Sequence, residues 1–318
     1  MKTRITELFG IEHPIIGGAM GSISTATLVA AQSNAGILGI MVSVMHQTKD
    51  ALRQEIRKCK SLTDKPFAVN INLFPSSSGL KAEDYIEVVL EEEVPIIETS
   101  GRSPEPYISL IRQGKAKYMH KCARIRDAVK VQSLGADAVE IVGFECGGHP
   151  GMEDITTIVI APLTADAVSI PLIVGGGIAD GRGLIAALAL GADGVIMGTR
   201  FLATQECPIH PNVKEWMTKA TETDTTIVQR SVRSNSRVIK NEAALKCLEM
   251  EARGASLEEL MTVIAGSHNR KVAQEGQMNA GTFACGEIVG LIKDVPTVKE
   301  VVDRIMRQAK EVQRRLSL

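Results

Sequence analysis

The stretch from Pro171 to Leu202, PLIVGGGIADGRGLIAALALGADGVIMGTRFL, most limits what this chain can fold into. Two short apolar runs, Leu172–Val174 and Val195–Met197, each lead straight into small residues. Gly175-Gly176-Gly177 follows the first and Gly198-Thr199 the second, and Gly181–Leu190 between them is rich in alanine and leucine and reads as a helix. The pattern is a β-turn-α-β unit with glycine at the carboxyl end of both strands. Glycine there lets the backbone come close to a ligand and aim successive N–H groups at it. Two such strand ends side by side form an anion cup. In a (β/α)8 barrel the phosphate site is commonly built from the loops after strands 7 and 8. One glycine cluster alone reads equally well as an ordinary tight turn; the two together favour the cup.

The rest of the chain repeats the same alternation. Pro14-Ile15-Ile16 is a short strand opening into Gly17-Gly18-Ala19-Met20-Gly21, followed by a helix over Thr25–Ala35 and a strand over Gly36–Val42. Lys49–Lys60 has helical spacing, and Phe67–Leu73 is a strand carrying Asn70 and Asn72. The serine-rich Pro75–Gly79 reads as a loop, placed to gate entry to a site. Helices are expected over Tyr85–Glu93, Pro106–Gln113 and Arg124–Leu134, and strands over Val94–Glu98, Ala116–His120 and Ala138–Val142. Eight strands, mostly followed by helices and without hairpin signals, imply a parallel sheet. Eight such units within ~200 residues imply a closed TIM barrel. A doubly wound open sheet is the competing architecture, but no GxGxxG follows the first strand.

After Leu202 the strand alternation stops. The expected division is a barrel over residues 1–204, a small helical domain at its mouth over 205–290, and a terminal helix over 291–318 that returns to the barrel. Ser256-Leu257-Glu258-Glu259 and Thr297-Val298-Lys299-Glu300 match capping boxes. His210, in Glu206-Cys207-Pro208-Ile209-His210-Pro211, reads as a structural residue of the domain junction.

Composition removes several function classes. A net charge of −1 over 318 residues and few aromatic residues argue against nucleic-acid and membrane-surface binding. No apolar run is long enough to span a bilayer, and the amino terminus lacks a signal-like apolar region. The six scattered cysteines, with no CxxC, suit reduced thiols in a cytoplasmic setting and neither disulfides nor zinc. The expected partner is a small-molecule substrate, with the protein a monomer or homodimer.

Active sites of such barrels sit at the carboxyl ends of strands. The candidates are therefore Gly17–Gly21, Asn70, Asn72, His120-Lys121-Cys122, Glu145-Cys146-Gly147-Gly148-His149 and the anion cup. Asn72 and Lys121 suit the carbonyls and ring nitrogens of a heterocycle, and a lysine can steady negative charge on a reduced ring; the alternative for Lys121 is a surface cation. His149, after two glycines, is the acid–base candidate; the alternative is a hydrogen-bonded loop histidine. Cys146 lacks an evident cationic partner that would activate it as a nucleophile. Aldolase or isomerase chemistry would need a Schiff-base lysine or paired carboxylates at strand ends, and only Lys121 stands out.

Several segments together resemble the FMN-dependent nitronate monooxygenase (2-nitropropane dioxygenase) family, which includes an NADH:quinone reductase and the flavin enoyl-ACP reductases. They are His13-Pro14-Ile15, Lys65–Asn70, His120-Lys121-Cys122, Gly143–Gly151, Gly176–Gly181 and Met197–Leu202, spread over nearly the whole chain. Cys-Gly-Gly-His-Pro-Gly and Glu-Cys-Pro-Ile-His-Pro look closest to the quinone reductase and monooxygenase branch, while Met1–Leu8 is similar to the enoyl reductases. The resemblance implies FMN, its phosphate on Gly175, Gly176, Gly177, Gly198 and Thr199. It places Ala19, Met20, Gly21, Asn72, Lys121 and Gly147 around the flavin. His149 would take the proton α to a nitro group in a monooxygenase, or attend the acceptor in a reductase. The expected activity is nitronate monooxygenase-like. The alternatives are an NAD(P)H-dependent quinone or enoyl-thioester reductase, with NADH or NADPH as co-substrate, and a non-catalytic flavin- or phosphate-binding barrel.

The chain departs from the family pattern in its first loop. Gly17 stands where a glutamine is usual and Gly21-Ser22 where Gln-Trp is common; Gly175 replaces a frequent serine. Loss of the large first-loop side chains is expected to leave a roomier, less polar pocket suited to a bulkier substrate.

Overall fold

Alternate residues of each barrel strand face the interior and the helical layer, and this two-residue period decides where every strand-borne group ends up. The computed structural model describes residues 1–74 and 79–316. Residues 75–78 of the Pro75–Gly79 loop lie outside the described residues. The barrel runs α1 (Arg4–Phe9), β1 (Ile15–Gly17), α2 (Ala26–Asn34), β2 (Gly39–Val42), α3 (Lys49–Leu62), β3 (Phe67–Asn72) and α4 (Ala82–Glu91). It continues with β4 (Ile96–Ser100), α5 (Ile108–Ile111), β5 (Lys117–Cys122), α6 (Ile125–Ser133), β6 (Ala138–Val142) and α7 (Thr157–Ala167). β7 (Leu172–Gly175), α8 (Gly181–Ala189), β8 (Gly194–Met197) and α9 (Thr199–Leu202) complete it.

Neighbouring strands from β2 to β8 pair in parallel, and β8 pairs in parallel with β1. The β1–β2 seam is closed by Gly17 N donating to Leu38 O at 2.8 Å and Leu38 N donating to Ile15 O at 3.1 Å. The expected TIM barrel is therefore present. Its lower interior is filled by Ile16, Ile40, Ala68, Ile96, Met119, Ala138 and Ile173. Ile5 and Phe9 of α1 pack into the same cluster and plug the bottom. Thr3 and Thr6 form a capping box that starts α1, and Gly10, at φ 67°, ends it in the left-handed region.

The segment after the barrel contains α10 (Pro211–Lys219), β9 (Thr225–Val228), β10 (Ser236–Ile239), α11 (Glu242–Ala252), α12 (Leu257–Ile264) and α13 (Gly266–Glu275). The expectation of helices alone here is corrected by the antiparallel β9–β10 hairpin. Each strand is only four residues long, and Arg237 interrupts the apolar pattern of β10, so no local alternation announced it. Val228, Val238, Ala244, Cys247, Leu260 and Val263 form a small core of their own. The capping box at Ser256 and Glu259 starts α12 as expected. His210 accepts a hydrogen bond from Asn212 N at 3.1 Å and caps α10.

The last helix, α14 (Val298–Leu316), begins where Glu300 N donates to Thr297 Oγ1 at 3.2 Å and Thr297 N donates back to Glu300 Oε2 at 2.8 Å. It buries Val298, Val301, Val302, Ile305, Met306 and Ala309 against the barrel. Gly181 lets α8 touch it, since a Cβ there would collide with the α14 backbone at Ile305 and Ala309. Truncating the plug through Ile5→Ala is expected to cost ~2–5 kcal/mol, the usual range for a large-to-alanine change in a core. Denaturant unfolding measures it, and a cost near zero would show that α1 does not close the barrel.

Candidate active site

The barrel mouth holds a cavity of about 510 Å³, within the ~300–1,000 Å³ usual for small-molecule sites. The residues that the family resemblance set around the flavin, its phosphate and the acid–base position all border it: Ala19, Met20, Gly21, Asn72, Lys121, Gly147, His149, Gly175, Gly176, Gly177, Gly198 and Thr199. One wall is backbone. Gly176 and Gly177 have φ of 94° and 68°. A Cβ on Gly176 would lie 3.0 Å from Gly143 O and 2.9 Å from Thr157 Oγ1. Gly18 lies against Gly198, with 3.3 Å from an added Cβ to the Gly198 Cα. The Thr199 hydroxyl accepts from Gly286 N at 2.9 Å.

The first-loop expectation needs correcting at one position. Gly17 lies outside the cavity, and the side chain of Gln32 from α2 occupies the space its Cβ would enter. The pleat explains this, because Ile16 faces the barrel interior and its neighbours on β1 face the helices. At Gly21, by contrast, an added Cβ meets nothing within 4 Å, and Ser22 also borders the cavity. The open wall is therefore confined to Gly21-Ser22. At Gly175 an added Cβ would sit 2.6 Å from Ile196 Cγ2, so Ile196 takes up the room of the missing serine.

Of His120, Lys121 and Cys122, all on β5, only Lys121 borders the cavity. His120 Nδ1 hydrogen-bonds Thr99 Oγ1 at 2.7 Å within the barrel wall, and burial holds its pKa down to about 4. Asn70 Nδ2 donates to Ser100 Oγ at 3.0 Å, and Asn72 Oδ1 accepts from Phe74 N at 2.8 Å.

The loop after β6 carries the acid–base candidate and is held on two sides. Glu145 accepts from Thr157 N at 3.0 Å and Thr157 Oγ1 at 2.8 Å, which fastens it to the start of α7. Across the mouth, Gly148 N donates to Arg237 O at 3.0 Å and Arg237 N donates to Gly148 O at 2.7 Å. The buried Arg237 guanidinium donates to Phe144 O at 3.1 Å, stacks 4.4 Å from the Phe144 ring and pairs with Glu287 at 2.8 Å. The hairpin thus grips the residue beside His149. Sequence reading missed Arg237, whose only signal is a cation inside a short apolar run.

His149 is exposed at the cavity, with the cavity walls around it. Partial desolvation by those walls and then the nearby Lys121 charge lower its pKa below the ordinary value of 6.5, which favours the neutral imidazole near pH 7. Its ring lies 6.1 Å from that of Phe74. Burial pushes the Cys146 thiol up to about 11, so it is not a thiolate nucleophile. Among the described residues no cluster of His, Cys, Asp or Glu could hold a metal ion. Two further groups escaped the sequence reading: Glu98 and Glu140, both fully buried in the barrel interior. Their signal was an acid within the apolar strands IIETS and AVEIV.

The family model described as nitronate monooxygenase matches residues 2–85 and 76–308. The chain belongs to the nitronate monooxygenase family. It is 34% identical to an octahydro-indene-carboxyl-CoA dehydrogenase of Rhodococcus jostii, over 97% of this chain and 96% of that protein. A probable nitronate monooxygenase of Staphylococcus saprophyticus is 28% identical over 99% of both chains. The solved structure of FabK from Thermotoga maritima superposes with a TM-score of 0.93 at 38% identity, covering 99% of this chain and 98% of FabK. The chain is an oxidoreductase, and the family implies a flavin. Gly176→Ala strains a left-handed position and crowds Gly143 and Thr157 behind the backbone wall. It is expected to weaken flavin retention ~10-fold or more, taking ~1–3 kcal/mol for such strain, as read by flavin fluorescence on titration. Unchanged retention would take this wall out of the binding site.

Proposed function

We propose that the chain is an FMN-dependent oxidoreductase that interconverts an acyl thioester and its α,β-unsaturated counterpart, with NADH or NADPH as the electron partner. The residues fit FMN. The bare backbone at Gly176, Gly177, Gly198 and Thr199 offers N–H groups and a hydroxyl to a phosphate. Lys121, Asn72 and Asn70 present a cation and amides to a ring system from the strand ends. When bound, FMN supplies the centre that accepts or gives hydride.

The observation that carries the thioester reading is the bare wall at Gly21, on the same cavity as His149. An extended acyl chain can enter there without displacing a side chain. The 34% identity to a protein named as a CoA dehydrogenase and the 38% identity to FabK support the same class. His149 handles the α-proton. As a neutral imidazole it can take that proton from the saturated substrate, and in the reductive direction it returns a proton to the same carbon. Lys121 stands within electrostatic reach of His149 and favours the neutral form. Thr157 and Arg237 fix the loop from which His149 acts.

A second reading, oxidation of a nitronate or nitroalkane, is favoured by the family match and the staphylococcal relative. A neutral base beside a flavin suits an acidic carbon next to a nitro group equally well. Anaerobic mixing of the yellow holoenzyme with NADH and NADPH separates the two. Bleaching by a nicotinamide, then recolouring by an enoyl thioester, is the expected result. Bleaching only by a nitronate would replace the thioester reading with the monooxygenase one. The same reading places the enzyme in the cytoplasm, and it accords with the six unpaired cysteines.

His149→Ala is expected to keep FMN but slow turnover ~100-fold or more, the scale for a lost general acid–base group. In wild type, the proton-taking direction should lose rate as pH falls through the lowered His149 pKa, with a midpoint below 6.5. An unchanged rate in the variant, or a midpoint at or above 6.5, would remove His149 from proton transfer. Ser22 has φ 57°, which disfavours a bulky side chain, so the test of the open wall is Gly21→Gln alone. That variant should turn over short acceptors normally and lose long acyl thioesters; equal loss of both would show the wall does not select for length.

A further inference from the structure

The interior of the barrel below the mouth holds a group of charges with no role in the chemistry above. Glu98 and Glu140 are fully buried, and none of their four carboxyl oxygens has a hydrogen-bond partner among the described residues. Strand register fixes their places. Asn72, Ser100, Lys121 and Glu140 are successive lateral partners across β3, β4, β5 and β6. Glu98 lies two residues deeper on β4 than Ser100, beside Asn70 and Met119. Side chains two apart on a strand face the same way, so both carboxyls share the interior with Lys121. Lys121 in turn borders the cavity, and its charge reaches Glu98, Glu140, His149 and Cys146.

Two carboxylates at this depth are too costly to coexist, because burial cuts both off from bulk water and each repels the other. Burial pushes Glu98 up to about 7, with Lys121 and Asn70 drawing it back. Burial and then the Glu98 charge carry Glu140 well above the carboxylate range. The groups facing the pair are Lys121 from β5 and Asn70 from β3. The other strands face it with apolar residues, among them Ile16, Ile40, Ile173 and Ile196. Through the wall, Tyr118 feels Glu98 and Cys122 feels Glu140. Near pH 7 the pair therefore holds at least one proton, and Lys121 is the cation that balances any charge left on it.

We propose that Glu98 and Glu140 are a positioning pair that stores protons beneath Lys121 and gains one when electrons arrive at the flavin above. The inference rests on the FMN reading. Two electrons enter with hydride from a reduced nicotinamide, and negative charge grows on the far side of Lys121. Lys121 is then drawn toward that charge and leaves the ionised carboxyl of the pair less well balanced. The carboxylate takes a proton from solvent: an O–H bond of a hydronium ion at the mouth breaks, an O–H bond forms on the carboxyl, and a water molecule is left. The sum is one proton taken from solvent for each two-electron reduction, with no bond made between the pair and the flavin.

The test uses wild-type, Glu140→Gln and Glu98→Gln holoenzyme, the glutamines keeping the shape while removing the titration. The flavin midpoint potential is measured against a reference dye between about pH 6 and about pH 9. Wild type should take up one proton more per two electrons than either variant. Equal proton uptake in all three yellow proteins overturns the proposal and leaves the FMN reading standing. A protein that purifies colourless and does not take up FMN overturns both.

Thermal melting of the same holoenzymes gives a second reading that a merely structural role would not reproduce. A carboxyl whose pKa is raised on folding contributes stability that is present at low pH and lost as pH rises through the folded value. For Glu98 the loss runs from about 4.5 to about 7. Each variant should therefore gain stability relative to wild type as pH rises across that window. A difference that does not change with pH would show that the carboxyls are not held protonated, and would overturn the proposal.

Discussion

Closing eight parallel strands into a barrel divides their residues between two environments, and nearly everything specific about this protein follows from that division. Residues facing outward meet helices and become packing, as His120 and Cys122 do despite their chemical promise. Residues facing inward below the mouth meet an enclosed interior sealed by Ile5 and Phe9. Only inward residues at the carboxyl ends of strands reach the cavity. Lys121 borders it, and its neighbours on β5 do not, because of one step of the pleat.

The same division explains why the backbone, more than side chains, shapes one wall of the cavity. At Gly18 and Gly176 two segments of the chain approach so closely that an added Cβ would press on neighbouring backbone, Gly198 in the first case and Gly143 in the second. Among the side chains that border the cavity are a lysine, asparagines, a histidine and a threonine, each chemically distinct. Position comes from the segment after the barrel. Its hairpin exchanges both backbone hydrogen bonds between Arg237 and Gly148, so the loop bearing His149 is in effect a third strand laid on a two-stranded sheet.

Much of this was legible in the sequence, and the exceptions share a cause. The barrel was readable because each β-α unit carries its own local signal, and the glycine clusters after β7 and β8 marked the cup. Gly17 misled because a family pattern gives a residue's place in the chain but not the face it occupies; here Gln32, fifteen positions later in another element, fills the gap. The β9–β10 hairpin went unread because it is stabilised by partners distant in sequence, Gly148 and Ala284, and not by its own alternation. Glu98 and Glu140 were visible as letters, but an acid in an apolar strand acquires meaning only when both are known to point to the same enclosed space.

The plug at the bottom of the barrel has a kinetic meaning. Because α1 closes one end, the cavity of about 510 Å³ is a cup filled and emptied from above. Two small molecules that each need its floor cannot pass one another inside it, so the second enters only after the first has gone. Under the function proposed above, that shape favours alternation: each half of the cycle would finish before the other begins, and the rate of leaving would weigh as much as the rate of reaction.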